Sequence, residues 1–223
     1  MNKRGRTAAL IVCAVLVLAA VGIFAWSALR GEPVPEESLS SEEAYRKLGE
    51  LEQGRTEEDG DLYLRARDFT VGEKELERAA ETYRVGGHGE DEAKKLAEEL
   101  LVEKYTAYHL AVEGGFEKSD EEISALVEEQ KKIFEQSATF ENGESYEEFL
   151  KAAGMTSEEY WDSQFETMKI YETIGAWKTS VKDKFREEHP DLYGEKWDSA
   201  WEKYYSDLMQ QAIGEQKIEV VEK

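Results

Sequence analysis

All three prolines, Pro33, Pro35 and Pro190, lie outside the periodic apolar stretches of this 223-residue chain. A proline inside a helix removes a backbone donor and clashes with the preceding turn. Its absence between positions 36 and 189 leaves room for long helices. Capping signals punctuate that interval. A Ser or Thr followed three residues later by Glu satisfies two free backbone donors reciprocally. Thr70/Glu73, Ser119/Glu122, Ser145/Glu148 and Thr156/Glu159 all fit this box. Met155 and Tyr160 flank the last of them with the spacing of a hydrophobic staple.

Between the caps, apolar residues recur at helical spacing. Leu76, Ala79, Ala80 and Tyr83 make one face, and Ala93, Leu96, Ala97, Leu100, Leu101, Tyr105, Tyr108 and Val112 a longer one that Gly114-Gly115 ends. Ile123, Leu126, Val127 and Phe134 follow. A long helix is expected from about Ser157 to Glu188, with Gly175 permitting a kink. A last helix carries Trp197, Trp201, Tyr205, Leu208 and Ala212 as far as Gly214. Leu62–Phe69 alternates like a short strand, and Ile218–Val221 is a second candidate. Residues 41–53 read as a first helix or a helical stalk, set off by the breaker run 54–61. The expected class is mostly α, with at most a small two-stranded element.

The N-terminus has a different character. Thr7 to Leu29 is a run of 23 uncharged residues. At ~1.5 Å per helical residue it is long enough for the ~30 Å hydrocarbon layer. Lys3, Arg4 and Arg6 precede it and Glu32, Glu36 and Glu37 follow. The positive-inside rule then places residues 1–6 in the cytoplasm and the body outside the cell membrane, single-pass. Ala25-Trp26-Ser27 is a weak small-x-small cleavage site, but the run exceeds the ~7–15 residues of a signal-peptide core. Retention as a signal anchor is the reading taken. Cys13, the only cysteine, lies inside this run, so the body has no disulfide, thiolate metal cluster or cysteine nucleophile.

Charge narrows the partners. The chain has 50 Asp+Glu against 28 Lys+Arg, a formal net of −22. Binding to a phosphate backbone depends on Lys and Arg displacing counterions, so no nucleic-acid partner is expected. With 40% hydrophobic and 11% aromatic residues there is still material for a core.

Searches for chemistry find little. His88, His109 and His189 are scattered, with no H-E-x-x-H. Gly86-Gly87-His88-Gly89 lacks the spacing of a phosphate loop and reads as a turn. The acidic run 57–61 fails the calcium-loop pattern, because Arg55 and Ala66 would occupy its first and twelfth positions. Among 50 acids no carboxylate pair stands out as a general acid and base. No catalytic residue, metal site or cofactor is expected, and the chain is not read as an enzyme.

Three stretches carry a resemblance: Phe69-Thr70-Val71-Gly72-Glu73-Lys74-Glu75-Leu76, Ala111 to Ile123 with Gly115 and Ser119-Asp120-Glu121-Glu122-Ile123, and Tyr146 to Trp161 with Phe149-Leu150, Gly154-Met155-Thr156 and Glu158-Glu159-Tyr160-Trp161. In order and spacing they resemble the SurA N-terminal-domain family, the helical peptide-binding part of SurA- and PrsA-type extracytoplasmic chaperones. The resemblance covers Phe69 to about Trp177 well and Trp197–Glu222 loosely. Many relatives insert a parvulin-type prolyl isomerase domain before the closing helix. Here that interval is only about Arg186 to Glu195, too short for a folded domain.

The expected organisation is thus residues 1–6 as a cytoplasmic tail, 7–29 as a transmembrane helix, 30–61 as an acidic linker and helical stalk, and, from the resemblance, 62–223 as a helical domain similar to that family. The resemblance implies a chaperone-like module that binds unfolded or secreted polypeptides, without isomerase activity. Such binding needs aromatic or flexible side chains that repack around different clients. Tyr105, Tyr108, Phe134, Tyr160, Trp161, Phe165 and Met168 are the candidate peptide-binding residues, each with core packing as the alternative. A structural or assembly protein of the cell envelope, binding one dedicated folded partner, is the competing function. Oligomeric state is left open.

Overall fold

The computed structural model describes residues 41–53, 60–136 and 144–221. The expected membrane-spanning run 7–29 and the linker before residue 41 lie outside the described residues. Among the described residues no helix is long and apolar enough to cross a membrane.

The chain is mostly helical with a small sheet. In order it forms α1 (Ser41–Glu52), β1 (Leu62–Arg65), β2 (Thr70–Gly72), α2 (Glu73–Val85), α3 (Glu90–Glu113) and α4 (Asp120–Gln136). It continues through α5 (Glu144–Ala153), α6 (Ser157–Ser163), α7 (Phe165–Glu188), α8 (Glu195–Glu215) and β3 (Glu219–Val220).

Two of the capping boxes form as the sequence leads one to expect. Ser119 N–H donates to Glu122 Oε2 at 3.0 Å while Glu122 N–H donates to Ser119 Oγ at 3.3 Å. The Thr156/Glu159 pair repeats this at 2.8 and 3.2 Å. In each box the backbone bond from the Ser or Thr, before any other cause, holds the Glu carboxyl below its ordinary value. Ser145, the cap residue of another box, is outside the described side chains.

The Thr70/Glu73 box does not form. Thr70 belongs to β2, opposite Arg65, and the Glu73 N–H that a box would direct to Thr70 donates instead to the Asp61 carbonyl at 2.8 Å. Helix stops are equally local. Gly154 takes positive φ one residue beyond its helix, and Gly87 and Gly115 two residues beyond theirs. At Gly115 the next residue, Phe116, donates back to the Ala111 carbonyl at 2.9 Å and Gly115 itself to Val112 at 3.0 Å. This double bond satisfies carbonyls the helix leaves open, and only glycine enters that backbone region without strain.

The residues group into two compact units. One comprises 41–53, 76–98, 126–136 and 144–163. In it the stretch expected as a first helix or stalk is α1, and it packs against α5. Gly49 makes the approach close. A Cβ there would sit 2.3 Å from the Phe149 carbonyl oxygen and 2.8 Å from Ala152 Cβ. In the same unit Arg84 binds Glu77, Glu81 and Glu90. Burial lowers its pKa, but hydrogen bonds to Glu81 and Glu77 outweigh that and leave it raised.

The other unit comprises 60–75, 99–125 and 164–221 and contains the sheet. The sheet has three strands in the order β2-β1-β3, all antiparallel, not the two-stranded element expected. The strand expected over Leu62–Phe69 is a hairpin. β1 ends at Arg65, and the turn over 66–69 closes with Ala66 N–H donating to the Phe69 carbonyl at 2.9 Å. β3 then pairs Leu64 with Val220 and Arg65 with Glu219 on the free edge of β1.

Gln216, 2% exposed, ties α8 to that turn. Its carbonyl accepts from Arg67 N–H at 2.7 Å and its Oε1 from Asp68 N–H at 3.2 Å. Its Nε2 donates to Asp68 Oδ2 at 3.0 Å.

The expected Ser157–Glu188 helix is interrupted at Gln164, between α6 and α7. Ser163 Oγ donates to the Tyr160 carbonyl at 2.7 Å, competing for an acceptor of the helical ladder. Gly175, the expected kink, sits inside continuous α7.

Two substitutions test these joints. Gly49→Ala should cost about 1–3 kcal/mol by overpacking, since the Cβ meets backbone and not a movable side chain. Gln216→Ala should cost about 1–3 kcal/mol by stranding the Asp68 N–H. Urea denaturation of each variant measures both.

Candidate functional site

Of the seven candidate binding residues, Phe134, Tyr160 and Trp161 come together in the first unit. Trp161 is 1% exposed, its ring 5.2 Å from Phe134 and its N–H donating to the Tyr146 hydroxyl at 3.0 Å. Tyr160 is also buried and meets Phe149 edge-on at 5.1 Å. These rings fill a core around a tyrosine hydrogen-bond hub, so Tyr160 and Trp161 present no open surface. Phe134 is half-buried at the edge of the same cluster.

Tyr105, Tyr108, Phe165 and Met168 belong to the second unit. Met168 is core, 3% exposed. Tyr105 is half-buried, its ring 5.5 Å from Phe69 and its hydroxyl donating to Glu75 Oε1 at 2.6 Å. Lys104 Nζ donates to the same oxygen at 2.9 Å. Tyr108 and Phe165 are half-buried, and burial followed by the Glu117 carboxylate raises the Tyr108 phenol. Core packing thus accounts for Tyr160, Trp161 and Met168. It accounts only in part for Tyr105, Tyr108, Phe134 and Phe165.

A second aromatic cluster lies where the reading of the sequence saw only a helix face, with Phe185, Trp197 and Trp201 as its buried core, 4%, 8% and 7% exposed. Trp197, Trp201 and Tyr205 recur every four residues along α8, and Lys178, Lys182 and Arg186 every four residues along α7. The two series meet. Lys178 Nζ lies 4.1 Å from the Tyr205 ring centre, Lys182 Nζ 5.1 Å from Trp197 and 5.8 Å from Trp201, and the Arg186 guanidinium 4.8 Å from Trp197. Trp197 and Trp201 stack with centroids 6.2 Å apart at 13°, and Phe185 packs between them and Tyr204. Among the described residues none of these three cations has a carboxylate within ion-pair distance. A shared spacing of four in two apolar-cationic helices was the available signal. It has meaning only once the helices are known to be antiparallel neighbours with Tyr205 beside Lys178.

Burial shapes the inner rung. Desolvation pulls the Lys178 ammonium below its ordinary value, and burial, followed by Glu103, pushes the Tyr205 phenol up to about 12. At the outer rung the structure opens. Tyr193 in the turn between α7 and α8 is 82% exposed, and Tyr204 on α8 is 38% exposed. A cleft of about 360 Å³ sits at this end. Arg186 and His189 line it from the end of α7, and Pro190, Leu192 and Tyr193 from the turn. Trp197 and Asp198 line it from the first turn of α8. The Trp197 indole N–H is buried without an acceptor.

Among the described residues no group of three or more His, Cys, Asp or Glu side chains is placed to hold a metal ion. No family model, no curated protein and no solved structure matches the chain.

The Tyr205 phenol yields a pH prediction. Its folded pKa lies above the unfolded value of about 10, so the folded state binds the proton more tightly. That contribution to stability is whole below pH 10 and is lost as the pH rises through about 12. An ultraviolet titration should show a tyrosine component ionising at about pH 12, and Tyr205→Phe should remove it while the raised Tyr108 phenol remains.

Proposed function

We propose that this chain is a membrane-anchored, extracytoplasmic chaperone-like module that binds unfolded or extended polypeptides and has no prolyl isomerase activity. The observation that carries the reading is the open aromatic end of α7 and α8, where Tyr193 and Tyr204 stand exposed beside the Trp197–Trp201 stack. Exposed aromatic rings such as Tyr193 and Tyr204 can hold many apolar sequences weakly, because stacking and apolar contact ask little of the partner's sequence. The half-buried Tyr105, Tyr108, Phe134 and Phe165 offer further aromatic edges. A formal charge of −22 keeps such surface from joining copies of itself.

Three features of the sequence support the same reading. The order of motifs from Phe69 to Trp177 is similar to the SurA N-terminal-domain family. The apolar run 7–29 with basic residues before it and acidic ones after suits an anchor with the body outside. The residues between α7 and α8 number too few for an isomerase domain.

The test is suppression of aggregation. The purified chain, at substoichiometric to equimolar ratio, is mixed with a near-neutral client diluted from denaturant at two salt concentrations. Suppression should be insensitive to salt, and the exposed-ring double variant Tyr193→Ala/Tyr204→Ala should weaken it severalfold. Absence of suppression overturns the reading, and a single stoichiometric folded partner in a pull-down would then favour the envelope-assembly function.

A further inference from the structure

The cleft at the open end of the cation–aromatic series has features that broad apolar binding does not require. It holds a guanidinium, Arg186, with no carboxylate partner among the described residues in a chain of 50 acids. Arg186 is held over the Trp197 ring at 4.8 Å, which leaves its hydrogen-bonding edge unused. His189 lines the same cleft, its ring 4.5 Å from Phe185, and forms no ion pair among the described residues. Pro190, Leu192 and the exposed Tyr193 supply an apolar wall. Asp198 also lines the cleft, yet it does not pair with Arg186 or with another cation among the described residues. A cation and an anion that share a small cleft without meeting each other are each available to a ligand.

We infer that this cleft binds the carboxy-terminal residue of a polypeptide whose last side chain is apolar. The α-carboxylate accepts from Arg186 and His189, a geometry that guanidinium serves better than ammonium because its N–H groups form a planar fork. The last side chain rests on Pro190, Leu192 and Tyr193. Asp198 accepts the backbone N–H of the same residue, which selects a chain end over a simple organic acid. A volume of about 360 Å³ lies at the small end of the ~300–1,000 Å³ typical of ligand clefts, suited to one residue and not to a long segment. The net charge of −22 opposes a carboxylate in general, and Arg186 is the group at this cleft that offsets it. The inference rests on the client-binding reading only in taking the ligand to be a polypeptide.

Fluorescence polarisation of the full chain with a labelled pentapeptide ending in Leu-Phe tests it. The free-acid peptide should bind at least tenfold more tightly than the same peptide ending in an amide, and Arg186→Gln should abolish that preference. Because Arg186 also packs on Trp197, near-ultraviolet circular dichroism checks that the variant keeps its fold. Tyr193→Ala, at an exposed position, should weaken both peptides and leave the preference. Equal binding of acid and amide overturns the inference, and so does competition by 3-phenylpropanoate, which lacks the α-nitrogen, as strong as by the peptide. Aggregation suppression by the unaltered chain, measured alongside, separates the two: its absence fails the client-binding reading, and its presence with equal binding of acid and amide fails only this inference.

Discussion

The second unit depends on a choice of partner for its cations. Lys178, Lys182 and Arg186 could each have found an acid in a chain that has 50, yet all three lie over aromatic rings. The energies permit this. An exposed ion pair contributes about 0–1 kcal/mol and a cation–π contact about 0.5–1, more where water is excluded. The ring has a second advantage. A lysine stem laid along Trp197 and Trp201 covers apolar surface, whereas a carboxylate in the same place would have to lose its water against the indoles. Four-residue spacing on both helices turns one such contact into a series that holds α7 against α8. Ala107, Ala111, Trp177 and Met209 pack as the core beside it.

Elsewhere the scarcity of cations is met by sharing. Arg84 serves Glu77, Glu81 and Glu90, and Lys169 serves Glu117 and Asp120. The hydrogen bond to Asp120, followed by that to Glu117, raises the Lys169 ammonium despite its partial desolvation. A cation between several acids relieves their mutual repulsion as well as pairing with one of them. This suits a chain whose self-repulsion would otherwise oppose compaction.

What was legible in the sequence was what local chemistry decides. The boxes at Ser119 and Thr156 form because nothing else competes for those backbone donors, and Gly114-Gly115 ends α3 because its αL turn is local too. The box at Thr70 fails because a distant strand competes. Thr70 is drawn into β2, and Asp61 supplies the acceptor. The third strand was hidden for the same reason. Ile218–Val221 is too short to announce a sheet, and its place beside β1 is set by Gln216 reaching residues 67 and 68, about 150 positions away. Arg67-Asp68 between Leu64 and Phe69 was a readable polar break, and it marks the hairpin turn. The aromatic positions show the limit most plainly. Trp161 and Tyr105 sit on similar helical faces, yet one is sealed in a core and the other shares its hydroxyl with a half-buried carboxylate.

The same competition explains why the open end of α7 and α8 stands apart from the rest of the surface. Along the series Lys178 is partly desolvated over Tyr205, and Lys182 is engaged with two indoles, so neither has much capacity left for a ligand. Arg186 ends the series. One face of its guanidinium is occupied by Trp197, while its edge donors meet no carboxylate among the described residues. Gly194, at φ +58°, turns the backbone sharply enough to start α8 beside it, and that brings Asp198 and Tyr193 to the same cleft. The aromatic rungs keep these cations in place without neutralising them, so a ligand carboxylate meets Arg186 at the end of the series even with Asp198 in the same cleft.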